Sequence, residues 1–175
     1  ICGAPNTTMC FECPVGKFSN HSGADSEAFC KPCPTGAYSD KPGMISCNTC
    51  AVGQTNNISG SIGCSPCTSG RFLRSLGVPV CEKCEQGKYS NAGETSCTTC
   101  AAGRYSNQEL SMCLACDKGR YSSTLKASSN RTCLECPAGR YNSIEGAPGL
   151  HACVKCSAGK YNNINGSFAL SQCKP

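Results

Sequence analysis

The chain has no tryptophan, and Leu, Ile, Val and Phe together supply only 24 of its 175 residues. That share of about 14% lies under the roughly 20% at which a packed apolar interior becomes doubtful. One conventional core of this length is therefore excluded. Disorder, the other consequence of low hydrophobicity, asks for high net charge, yet the net charge is only +5 with 15% charged residues. No apolar run approaches the ~18 residues of a membrane-spanning helix. The sequence opens on Ile1 with no apolar leader, which is expected of a mature product or a fragment. Histidine is confined to His21 and His151, in different parts of the chain, and the 11 carboxylates form no recurrent pair for acid–base work. A catalytic site is not expected.

What is present is cysteine: 20 residues, about 11% of the chain, the density of disulfide scaffolds in secreted proteins. An oxidising, extracellular or cell-surface setting follows. Five Asn-x-Ser/Thr sequons, at Asn6, Asn20, Asn57, Asn130 and Asn165, agree with the secretory route and mark glycosylation candidates.

The cysteines are periodic. Nine Cys-x-x-Cys pairs occur, at 10/13, 30/33, 47/50, 64/67, 81/84, 97/100, 113/116, 133/136 and 153/156, with Cys173 after the last. Three residues beyond each pair stands a glycine: Gly16, Gly36, Gly53, Gly70, Gly87, Gly103, Gly119, Gly139 and Gly159. Two residues further comes a ring in eight units (Phe18, Tyr38, Phe72, Tyr89, Tyr105, Tyr121, Tyr141, Tyr161), with Thr55 as the exception. Self-similarity of this kind defines a repeat array. The divisions are 1–9 (tail of a preceding repeat), 10–29, 30–46, 47–63, 64–80, 81–96, 97–112, 113–132, 133–152, 153–172, and 173–175 as the start of another.

The glycine fits a positive φ or a close backbone approach. The ring, two residues along a strand, is expected on the glycine's face, over the neighbouring disulfide. Turn signals such as Lys41-Pro42-Gly43, Asn91-Ala92-Gly93 and Asn165-Gly166 follow, so each unit reads as one small β-hairpin with almost no helix. The predicted fold class is small, disulfide-rich and mostly β: an elongated tandem array of short hairpin modules, each contacting mainly its neighbours.

Sequence alone does not fix the pairing. Bonding within a Cys-x-x-Cys makes strained rings, and an interlaced scheme strands Cys2 and Cys156. Sequential pairing uses all twenty: Cys2–Cys10, Cys13–Cys30, Cys33–Cys47, Cys50–Cys64, Cys67–Cys81, Cys84–Cys97, Cys100–Cys113, Cys116–Cys133, Cys136–Cys153 and Cys156–Cys173. Each such bond is worth roughly 3 kcal/mol in the chain-entropy model. Zinc is the chemical rival, because successive pairs have zinc-ribbon spacing, but their even distribution lacks separated doublets. Thiol–disulfide exchange wants one pair at a helix N-terminus, not nine in helix-free repeats. No metal or organic cofactor is expected.

A basic residue separates glycine from ring position in seven units: Lys17, Arg71, Lys88, Arg104, Arg120, Arg140 and Lys160. Alternation sets these on the outer face, as a solvated surface or as a cationic stripe for an acidic partner, an anionic glycan or a neighbouring copy. A second candidate contact lies in the apolar stretch with Phe72, Leu73, Leu76, Val78 and Val80, where a better-packed hairpin is the plainer reading. Nucleic acid is not an expected partner.

The unit in Cys30-Lys-Pro-Cys-Pro-Thr-Gly-Ala-Tyr-Ser39 and Cys133-Leu-Glu-Cys-Pro-Ala-Gly-Arg-Tyr-Asn142 resembles ephrin-receptor-type cysteine-rich repeats, relatives of EGF-like and tumour-necrosis-factor-receptor modules. Long runs of similar repeats occur in protist surface proteins and fibrous appendages. The resemblance specifies the repeat type and not the function; the uniform repeats and the lack of site chemistry lead to the expectation of a structural segment of a coat, filament or matrix protein, with copies of itself or other structural proteins as partners. The alternative is a spacer or ligand-binding stalk of a receptor or adhesin.

Overall fold

A computed structural model of the chain describes residues 11–21 and 26–175. No α-helix occurs among them; strands of two or three residues alternate with loops and four 3₁₀ turns. The described chain forms two compact units, one reaching Glu82 and including Ala92–Ser96, the other comprising Lys83–Asn91 and Cys97–Pro175.

Each strand pair is an isolated antiparallel two-stranded sheet, eight in all among the described residues. The first strand directly follows the repeat glycine, and the second consists mainly of the two residues inside the next Cys-x-x-Cys. Lys17 thus faces Pro32 and Phe18 faces Lys31, Arg120 faces Glu135 and Tyr121 faces Leu134, and Arg140 faces Lys155. Two-residue strands cannot support a hairpin alone. Beside each lies a disulfide in the sequential order, from Cys13–Cys30 to Cys136–Cys153, and a ninth, Cys156–Cys173, accompanies the single bridge between Tyr161 and Lys174. Cys2–Cys10 lies outside the described residues.

Three backbone hydrogen bonds recur between successive repeats. The repeat glycine N–H donates to the carbonyl just past the next repeat's ring position, as Gly16 to Ser39 and Gly119 to Asn142, both at 2.8 Å. The residue past the ring donates to the following turn, as Ser39 to Ser61 (3.1 Å) and Ser122 to Ala147 (3.0 Å). The turn glycine donates back to a cysteine carbonyl, as Gly60 to Cys33 and Gly146 to Cys116, both at 2.8 Å.

Contacts reach further than the nearest neighbour, unlike the expectation from repeat logic. Gly36 has φ +79°, and a Cβ there would overlap the carbonyl oxygen of Gly77, two repeats on. Gly119 meets Gly166 in the same way. Glycine is required twice over at such a position, for its left-handed backbone and for the approaching carbonyl. The turn residue that approaches is itself left-handed, as Gly77 and Gly166 are, and against Gly87 it is a non-glycine, Lys126 (φ 56°); Leu110 (φ 59°) is the other left-handed non-glycine among the described residues.

The interior is mostly sulfur. Among the described residues thirteen cysteines are buried, against five other apolar residues: Phe72, Leu73, Leu110, Ala127 and Ala147. Cross-links and backbone bonds therefore replace the missing apolar core. Ring placement differs from the expectation of burial: Phe72 is buried, six rings are half-buried, and Tyr161 is exposed. The residue after the ring takes the interior place instead, as Ser39, Leu73, Ser90, Ser106, Ser122, Asn142 and Asn162, each no more than 6% exposed. Two-residue strands end before a regular alternation is established, and the chain turns inward one residue late.

Candidate functional site

The buried polar positions join repeats. The Asn142 amide donates to the carbonyls of Arg120, one repeat earlier, and Ile144, both at 3.0 Å, while its Oδ1 accepts from the Ile144 N–H at 3.1 Å. The half-buried Asn56 likewise donates to Ala37 (2.9 Å) and accepts from the Gly36 N–H (3.0 Å). Ser106 Oγ accepts from the Gly87 N–H at 2.9 Å. A buried polar group so satisfied stabilises instead of destabilising, and no described side-chain nitrogen or oxygen is buried without a partner. The Ser/Asn belongs to the repeat unit in the sequence, where the ring is the residue expected inside. The signal for the interior Ser/Asn was a small polar residue recurring beside the aromatic.

The seven basic positions occupy the same place in successive hairpins, but most are engaged. Lys17 pairs with Glu27 at 2.7 Å, Lys88 with Glu85 at 3.2 Å, and Arg120 with its cross-strand neighbour Glu135 at 3.0 Å. Arg71, Arg104 and Arg140 each donate to the carbonyl of the cysteine across the hairpin, Cys81 (3.0 Å), Cys113 (3.2 Å) and Cys153 (2.8 Å). Lys160 is exposed. Side-chain hydrogen bonding from Lys17, then its charge, holds the Glu27 carboxyl below the usual carboxylate range. Hydrogen bonds from Lys126 and Lys88 do the same for Glu85. Six of the seven cations therefore brace their own hairpins, which leaves the stripe less free than its spacing implied.

The apolar stretch divides. Leu73 is buried with Cys67 and Cys81, and Val78 packs against that cluster. Phe72 is also buried, beneath the Arg74 guanidinium at 5.0 Å from the ring centroid. Leu76 and Val80 point to solvent, at 65% and 62% exposed. Thr55, in the ring position one repeat earlier, donates to the Val78 carbonyl at 2.9 Å. Beside it an open groove of about 390 Å³ runs between Asn57, Ile58, Pro66, Arg71, Pro79 and Val80.

Four sequon asparagines, Asn20, Asn57, Asn130 and Asn165, are exposed; Asn6 lies outside the described residues. His21 packs against Phe29, ring centroids 5.0 Å apart. Every described cysteine belongs to a disulfide. Among the described residues no group of three or more His, Cys, Asp or Glu converges on a point, and no helix is long and apolar enough to cross a membrane.

Sequential bridges, two-strand hairpins and a glycine-anchored ladder together define a disulfide-stapled β-repeat of the extracellular cysteine-rich class. The family model described as tyrosine-protein kinase ephrin type A/B receptor-like matches residues 23–63 and 103–153, just over half of the chain, and the chain belongs to that family. No curated protein matches it significantly.

Proposed function

We propose that this chain is a structural repeat segment of an extracellular coat, filament or matrix protein, acting as a stiff, glycosylated spacer with no catalytic role. The observation that carries this reading is the ladder within each unit. The same disulfide and most of the same backbone bonds recur whether the loops are long or short, with scattered departures such as Gly87, which donates to the Ser106 hydroxyl. A surface built for one ligand would instead concentrate its departures at one place. Copies of the same array, or other structural proteins, are the partners such a segment fits, and anionic glycans are a lesser candidate because most of the basic stripe is internally paired. Electron microscopy of native material tests the reading: assembled fibres or a continuous coat are expected, whereas isolated membrane-tethered molecules would overturn it.

A second reading, a receptor or adhesin stalk, is favoured by one feature. Thr55 replaces the ring, and the neighbouring repeat exposes Leu76 and Val80. Pull-down with the intact chain against Leu76→Ser, Val80→Ser distinguishes the two. A specific partner lost in that variant supports a stalk.

A further inference from the structure

We propose that N-linked glycans on Asn57 and Asn130 lie in grooves left open between their own repeat and the adjacent one, and act as covers for apolar surface. The proposal rests on the extracellular reading above and adds particular sites and roles to it.

Two observations converge. The groove beside Thr55 includes Asn57 in its lining, and its walls carry Ile58 and Val80 at 68% and 62% exposed. A second groove, of about 420 Å³, is lined by Tyr105, Gln108, Glu109, Leu114, Ser128 and the sequon residue Asn130. Both volumes fall in the roughly 300–1,000 Å³ range of small-molecule sites. Each asparagine opens a complete acceptor triplet, Asn57-Ile58-Ser59 and Asn130-Arg131-Thr132, and both are exposed. Asn165 differs: its Oδ1 is held by the Ala138 N–H at 2.9 Å.

The chemistry is ordinary group transfer in the secretory pathway. The side-chain amide nitrogen forms a bond to the anomeric carbon of an oligosaccharide carried on a polyisoprenyl diphosphate. The carbon–oxygen bond to the diphosphate breaks, the diphosphate leaves, and the amide loses one proton; nothing is oxidised or reduced. An attached N-acetylhexosamine then presents an apolar ring face and an acetamido group. In the second groove the ring face fits Tyr105 and Leu114, with Gln108 and Glu109 placed for its hydroxyls. In the first, Ile58, Pro79 and Val80 supply the apolar wall and Arg71 the polar rim. Covering such surface removes the exposed apolar patches that favour association.

The test uses the whole chain secreted from a eukaryotic host, with its disulfides verified by non-reducing mass. Glycopeptide mass spectrometry reads occupancy, and amide hydrogen exchange is compared before and after enzymatic deglycosylation, so no substitution endangers folding. Occupied Asn57 and Asn130 are expected, with exchange near both grooves rising about tenfold on glycan removal while that around Asn165 holds. Unmodified Asn57 and Asn130 in fully disulfide-bonded material, or unchanged exchange after removal, overturns the proposal. Free thiols in the secreted chain would instead sink the extracellular reading beneath it.

Discussion

The loops closed by long bridges and those closed by short ones solve the same problem differently. Cys13–Cys30, Cys116–Cys133, Cys136–Cys153 and Cys156–Cys173 each span 17 residues, while the other described bridges span 13 or 14. Every long loop, and no short one, ends in a 3₁₀ turn just before its second cysteine: Glu27–Phe29, Asn130–Thr132, Leu150–Ala152 and Leu170–Gln172. Such a turn uses three residues, so the added length is taken up as about one whole turn. In the last three long loops the residue after the left-handed turn is sealed inside, as Ala127, Ala147 and Ser167 at 1%, 0% and 1% exposed. The short loops leave its counterparts Met44, Ser61, Val78 and Glu94 at least partly accessible. Loop length is thus variable, whereas the ladder is shared.

Substituting the repeat glycine tests that sharing most severely. Gly36→Ala, whose partner turn lies in a short loop, and Gly119→Ala, whose partner lies in a long one, should each cost about 2–5 kcal/mol from left-handed strain plus carbonyl overlap. Gly139→Ala, with nothing within 4 Å, should show only the backbone part, about 1–2 kcal/mol. Denaturant unfolding reads all three. Equal losses at Gly119 and Gly139 would remove the second-neighbour contact from the account.

Removing one bridge comes next. Cys136→Ser with Cys153→Ser, and Cys50→Ser with Cys64→Ser, should each cost about 3 kcal/mol, the difference in loop length contributing only about 0.2 kcal/mol. Hydrogen exchange should nevertheless find the long loop better protected than the short one, because Ala147 remains buried and bridged to Tyr121. Equal exposure of both loops would deny the 3₁₀ turn any packing role.

At the buried polar position, Asn142→Ala in a long loop should cost about 2–3 kcal/mol, since it strands the Arg120 carbonyl inside. Ser39→Ala in a short loop should lose about 1 kcal/mol, because its hydroxyl makes one bond, to the Lys41 carbonyl at 2.9 Å. Thermal melts of the two variants compare them.

The two left-handed non-glycines predict opposite signs. Lys126→Gly, in a long loop, should stabilise by about 1 kcal/mol through relief of φ strain, less whatever the exposed pair with Glu85 contributes. Leu110→Gly, in a short loop, should destabilise by about 1–2 kcal/mol, because a leucine only 4% exposed is lost.

Acid is the mildest challenge. Glu27 and Glu85 have lowered carboxyl pKa values, so their ion pairs help above the ordinary glutamate range near pH 4 and fade as pH falls through the lowered values. Both groups are fully exposed, so melting at pH 2 should lie only slightly below that at pH 7. Glu27→Gln with Glu85→Gln should shrink even that difference.

Much of this was legible because covalent spacing is written directly in the sequence. The cysteine period, with the requirement that all twenty pair, favoured the sequential order of the bridges without fixing it, and the recurrent glycine announced a positive φ or a close approach. What it approached was hidden, since Gly53 meets Gly93 across an entire intervening repeat, and local spacing carries no such information. Alternation misplaced the rings because it presumes strands long enough to alternate. The basic residues looked like a free stripe because Glu27, Glu85 and Glu135 occupy no regular place in the repeat, and the cysteine carbonyls that hold three arginines are invisible to side-chain pattern. Of the apolar stretch, sequence could not say that Leu73 would turn inward while Val80 turned out.

The contact between Gly103 and Gly146, and its equivalents, has a consequence for how such arrays can be edited. A grafted repeat must satisfy the partner beside it and another two places along, so single-module exchange meets four boundary conditions rather than two. Blocks of three repeats carry one such clasp wholly within themselves, and are the smallest pieces expected to transplant intact.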